Sequence, residues 1–128
     1  MILTPITAQQ TTQERKEARE IIRRGTNASP ELDAVIFTGS GCTGAIHKLI
    51  NCLDLKTPAL VFISGQEHHS NLLPWKEAGS EMITIGHLIT GEIDILDLEK
   101  KLQYQRKKNS SRMIIGLFTA ASNVSGII

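Results

Sequence analysis

Apolar residues follow two rhythms along this chain. In "DAVIFT" (33–38), "ALVFIS" (59–64), "EMITIG" (81–86) and "RMIIGLFTAAS" (112–122) they crowd onto neighbouring positions and favour β-branched types. That pattern predicts four short strands, with 33–38 and 59–64 reading as buried on both faces. Between these runs the apolar positions recur at helical spacing: Ala18, Ile21 and Ile22 within 11–24, and Ala45, Ile46, Leu49, Ile50 and Leu53 within 42–53. Thr11 followed by Glu14 reads as a capping box for the first helix, and Gly25 as its stop. "GQEHHSNLLPWKEAG" (65–79) reads as a polar loop running into a short helix that ends near Gly79, with Pro74 expected in that helix's first turn. Asp94 is placed to cap a charged amphipathic helix, "DILDLEKKLQYQRKK" (94–108).

Helix, then strand and helix in alternation, predicts an α/β fold with a mostly parallel sheet, flanking helices and right-handed crossovers. No repeat or linker interrupts the pattern, so residues 1–128 read as a single unit. The chain ends at Ile128 soon after its last apolar run, which leaves that run without a following helix. The expectation is one domain cut short at its C-terminus.

Composition narrows the function classes. Hydrophobic content of 41% and charged content of 21% over 128 residues suit one soluble globular domain. A net charge of +1 gives no electrostatic case for nucleic acid or an acidic membrane as partner. No apolar run approaches the roughly 20 residues of a membrane span, and "MILTPITAQQ" lacks the basic start of a secretory signal. The expectation is a cytoplasmic protein, in which the three N-x-S/T triplets are chance. Cys42 and Cys52 form no C-x-x-C pair, and neither a zinc site nor a disulfide is expected.

Candidate chemistry gathers where strands give way to helices. Gly39, Gly41 and Gly44 make a G-x-G-x-x-G, placed where backbone N–H groups at a helix start face an anion. A plain tight turn would look the same. A dinucleotide site would also need an acid about 20 residues further on; Glu67 is the nearest, somewhat late. Glu67, His68 and His69 are conceivable metal ligands with His47 or His87, but adjacent histidines on an extended chain point apart. Cys42 reads as a small residue in a turn rather than a redox thiol, and Trp75 as a core anchor. The basic run after Lys100 reads as a solvated helix face.

Three segments, "VIFTGSGCTGAIHKLI", "EHHSNLLPW" and "FTAASNVSGII", resemble in order and spacing the large domain of class V (fold-type I) aminotransferase-like pyridoxal-phosphate enzymes, nearest to the cysteine desulfurases. That family's pattern runs a strand into G-T-T-E or A-T-E at a helix start, a later strand into E-H-x-x-N, and another into S-N-x-x-G. This sequence departs from it at Gly44, where relatives often carry Glu. The resemblance implies an incomplete fold-type I transferase large domain that binds pyridoxal 5′-phosphate when complete. It implies that Gly41, Cys42 and Thr43 cup the cofactor phosphate. His68, the implied catalytic residue, would lie against the ring, and Asn123 would donate to the ring's 3′ oxygen. No metal is implied. An amino acid is the implied substrate and a homodimer the implied assembly. The family's cofactor-bearing lysine and ring-nitrogen acid follow the Asn motif, and none of Lys16, Lys48, Lys56, Lys76, Lys100, Lys101, Lys107 or Lys108 matches their pattern. The alternatives are a dinucleotide-binding domain, or a non-catalytic module that binds a phosphate ligand or pairs with another chain.

Overall fold

Leu60, Val61, Phe62 and Ile63 are buried one after another, and the α/β fold is built around them as strand β1 (Leu60–Ile63). The computed structural model describes residues 6–53, 55–109, 111–122 and 124–126, in two compact units, Met1–Thr38 and Gly39–Ile128. In the second unit β1 pairs in parallel with β2 (Glu81–Thr84) on one side and β3 (Ile114–Leu117) on the other. The order is therefore β2-β1-β3.

Alternate residues of β1 feed two cores. Val61 and Ile63 join Ala59, Leu117 and Trp75, with Ile46 and Ile50 of α2 (Gly41–Cys52) and Leu72 of α3 (His69–Glu77) packed against them. Leu60 and Phe62 join Ile85 on the other face, covered by Ile93 and by Leu98 of α4 (Ile95–Lys108). Burying Phe62 alone is worth about 1.5–3 kcal/mol. The path from β1 through α3 to β2 and the path from β2 through α4 back to β3 cross the sheet in opposite directions. With one preferred handedness, their helices must lie on opposite faces, as they do.

Polar contacts pin the strand ends. Arg112 donates from Nη1 to Glu81 Oε2 (2.7 Å), from Nε to the Pro58 carbonyl (2.9 Å) and from Nη2 to the Ala59 carbonyl (3.3 Å), joining the amino ends of all three strands. At the start of α4, Asp94 Oδ1 accepts from the Asp97 N–H at 3.0 Å, as the sequence predicts for a cap. Asp97 Oδ2 accepts from Lys101 Nζ (2.7 Å) and from the Gly86 N–H (2.8 Å), and Lys101 also reaches the Thr84 carbonyl. First the Lys101 hydrogen bond and then the Gly86 N–H hold the Asp97 carboxyl below its usual range.

Four sequence expectations need correction. Residues 33–38 form no strand, and Ile36 and Phe37 are 56% and 51% exposed. The run has strand propensity, but a strand exists only where a neighbour takes up its backbone N–H and C=O groups. Helix α1 (Ile6–Gly25) begins before Thr11. The hydroxyls of Thr11 and Thr12 donate back to the carbonyls of Thr7 and Ala8 instead of capping. The helix ends at Gly25, but the left-handed capping residue is Asn27 (φ 53°), where the Ala28 N–H returns to the Arg23 carbonyl, and not Gly25 itself. Pro74 falls in the second turn of α3, not the first; its ring is buried, which offsets the backbone bond it cannot make. Among the described residues no helix is long and apolar enough to cross a membrane.

Candidate functional site

The loop leaving β1 is held by its own side chains. Ser64 is buried, and its Oγ accepts from the Gln66 N–H at 3.3 Å. Gln66 Nε2 donates to the Gly91 carbonyl at 3.0 Å, tying this loop to the one after β2. A Cβ on Gly65 would lie 3.1 Å from His87 Cε1, so glycine lets those two loops approach. Glu67 Oε2 accepts from Asn71 Nδ2 at 2.9 Å, one helical turn on. Glu67 Oε1 is buried with no partner among the described residues. His68 caps α3: its Nδ1 accepts from the Ser70 N–H at 3.2 Å and lies 2.7 Å from Ser70 Oγ. The His68 ring is exposed, with the His69 ring set edge-on at 6.4 Å.

The glycine turn is organised differently. Helix α2 starts at Gly41, whose φ of +62° suits glycine. Ser40, at the cap position, makes no side-chain cap bond, and no acidic residue stands in the first turn. The Gly44 N–H returns to the Ser40 carbonyl at 3.3 Å, so the N–H groups of Cys42 and Thr43 lie at the positive end of the helix. A Cβ on Gly39 or Gly41 would meet nothing within 4 Å. Cys42 is an exposed free thiol and Thr43 is exposed. Helix α2 packs against α3, the helix that His68 caps.

A third loop leaves β3 at the same end of the sheet as the His68 loop, because Ile63 and Leu117 are register partners in a parallel pair. Thr119 Oγ1 donates to the Ala121 carbonyl at 3.0 Å. The buried Ser122 Oγ accepts from the N–H groups of Val124 and Ser125, and Gly126, at φ +72°, returns its N–H to the Ser122 carbonyl. Asn123, the sequence candidate in this loop, lies outside the described residues.

Beside these strand ends is a cleft of about 380 Å³, lined by Ser64, Gln66, Leu88, Gly91, Glu92, Ile93, Ile95 and Thr119. None of Gly41, Cys42, Thr43 and His68 lines it. Sequence reasoning passed over Ser64, Gln66 and Thr119, whose only signal is position: each stands just past the carboxyl end of a strand, where α/β folds bind ligands. Asn71 enters the sequence reading only as the last letter of the E-H-x-x-N motif; the signal for its bond to Glu67 is their four-residue spacing.

Comparison with known proteins bears on these loops together. The aminotransferase class-V family model matches residues 5–128. No curated protein matches the chain.

Proposed function

The chain belongs to the aminotransferase class-V family, and from that premise we propose that it is part of a pyridoxal-phosphate enzyme acting on an amino acid, with cysteine desulfuration the nearest known chemistry. The single observation that carries this reading is the family match across both the glycine turn and the E-H-H-S-N loop. The family is generally dependent on pyridoxal phosphate.

The donor set suits the two ends of that cofactor. A phosphate fits the start of α2: glycine backbone open to close approach at Gly39 and Gly41, no acid in the first turn, and the helix's positive end. In this reading Gly41, Cys42 and Thr43 hold the phosphate, Thr43 adding a hydroxyl donor. His68 offers a flat, exposed imidazole on a loop fixed by Ser70, and the Glu67–Asn71 bond steadies the same segment. In the same reading Asn123, which lies outside the described residues, would donate to the 3′ oxygen. When bound, pyridoxal phosphate supplies an electron sink for an amino acid's Cα. The complete enzyme works as a homodimer in the cytoplasm.

The lysine that carries the cofactor is, on this reading, not among the chain's lysines. Lys101 illustrates why: its ammonium is already engaged by Asp97 and the Thr84 carbonyl. Residues 1–128 are then a partial large domain, inactive alone. The test is to mix the chain with pyridoxal phosphate, reduce with borohydride and map adducts by mass. The expected result is no stoichiometric adduct on any one lysine; a single fully modified lysine overturns it. The dinucleotide alternative asks Glu67 to face a ribose, yet one of its oxygens is held by Asn71 and the other is buried. Micromolar binding of a nicotinamide dinucleotide would restore that alternative.

A further inference from the structure

We propose that His68 is fixed as its Nε2–H tautomer, so that its ring presents a hydrogen-bond donor and no free lone pair, and that Ser70 is the residue that positions it. The Ser70 backbone fixes the assignment. A backbone N–H can only donate, so the Ser70 N–H, 3.2 Å from His68 Nδ1, requires Nδ1 to be the unprotonated nitrogen. The Ser70 hydroxyl, 2.7 Å from the same nitrogen, then donates to it as well. A neutral imidazole carries one ring proton, and with Nδ1 accepting, that proton sits on Nε2.

The capping role makes this assignment costly to reverse. Moving the proton to Nδ1 would set it against the Ser70 N–H and leave the first turn of α3 without its cap. His68 is anchored on the other side too: Glu67, its neighbour, is bonded to Asn71 within α3. His68 is exposed, and with Nδ1 engaged the polar atom its ring has left to offer is Nε2. A ring in this state can stack and can donate from Nε2. It cannot take up a proton as a base without losing its cap. Applied to a cofactor, this consequence rests on the function proposed above, and it makes His68 a stacking and donating group there, with Ser70 a positioning residue.

The tautomer is read without any cofactor. The 128-residue chain is labelled with ¹⁵N-histidine, and the long-range ¹H–¹⁵N correlations of its four imidazoles are recorded above their titration range. The His68 signals are assigned by their loss in His68→Asn, which keeps a good capping residue. The expected result is a single Nε2–H pattern for His68. Ser70→Ala raises the minor Nδ1–H form by about fivefold, the equivalent of one ordinary hydrogen bond, and Ser70→Thr restores the original ratio. An Nδ1–H pattern, or the averaged signals of a free imidazole, overturns the tautomer. An Nε2–H pattern indifferent to Ser70→Ala overturns the role of Ser70. Either failure leaves the cofactor reading intact, since borohydride trapping tests that separately.

Discussion

The segments "AVIFT" and "ALVFIS" have nearly the same residues and opposite fates. Phe62 is 1% exposed and Phe37 51%; Ile63 is 9% exposed and Ile36 56%. The second segment is flanked by two parallel partners and covered on both faces. The first forms no ladder, and its half-exposed Phe37 lies beside a local cation, the Arg19 guanidinium 5.5 Å from the ring centroid. Strand propensity is thus a fit to a pleated, covered surface, and it has no force where the surface is missing. The helix starts after the two segments differ in the same sense: α3 is capped by a side chain and α2 is not.

The strongest way to break this contrast is to truncate the two phenylalanines. Phe62→Ala empties a fully enclosed position and should cost about 3–5 kcal/mol. Phe37→Ala should cost under about 1 kcal/mol, the worth of an exposed cation–π contact. Urea melts of the two variants give the comparison directly. Similar losses at both positions would mean that 33–38 is covered as well as 59–64, and the distinction would fall.

The same contrast explains which parts of the molecule are legible in its sequence. Elements whose cause is local are readable. The Asp94 cap, the helical spacing of Ile46 and Ile50, and the four-residue buried run at Leu60 all sit within one or two turns of what determines them. Those whose cause is distant are not. The Arg112 clamp joins residues 31 to 54 positions away, and no spacing rule announces it. The strand at 33–38 fails for that reason, since its partner is not written in its own residues. For the site, the order and spacing of motifs identify the loops, while the bonds that give "EHHSN" its shape depend on how the folded backbone sets Glu67, His68, Ser70 and Asn71. By position alone Glu67 is a candidate ribose ligand; in the fold Asn71 holds one of its oxygens.

The two helix starts sharpen the comparison at a smaller scale. His68→Ala removes the cap of α3 and should cost about 1 kcal/mol, whereas His68→Asn should retain most of that stability while losing the ring. Ser40→Ala should leave stability within about 0.5 kcal/mol of the parent, because Ser40 makes no side-chain cap bond. Denaturant midpoints for the three variants test this. A loss at Ser40 equal to that at His68 would show that the glycine turn is capped after all.

The smallest effect concerns how β2, one of the neighbours that makes β1 a strand, is tied down. Asp97 takes hydrogen bonds from Lys101 and from the Gly86 N–H just beyond β2, and its carboxyl is lowered from the ordinary 3.8. A lowered carboxyl stabilises the fold above its unfolded value, and that contribution disappears as pH falls through the folded one. Asp97→Asn should therefore melt slightly below the parent at neutral pH, and the gap should close as pH drops below 3.8. Added salt should narrow it as well, since the pair is near solvent. A gap that persists undiminished in acid would assign the difference to hydrogen-bond geometry rather than charge. The tie between α4 and β2 would then be a matter of shape, like the packing that separates Phe62 from Phe37.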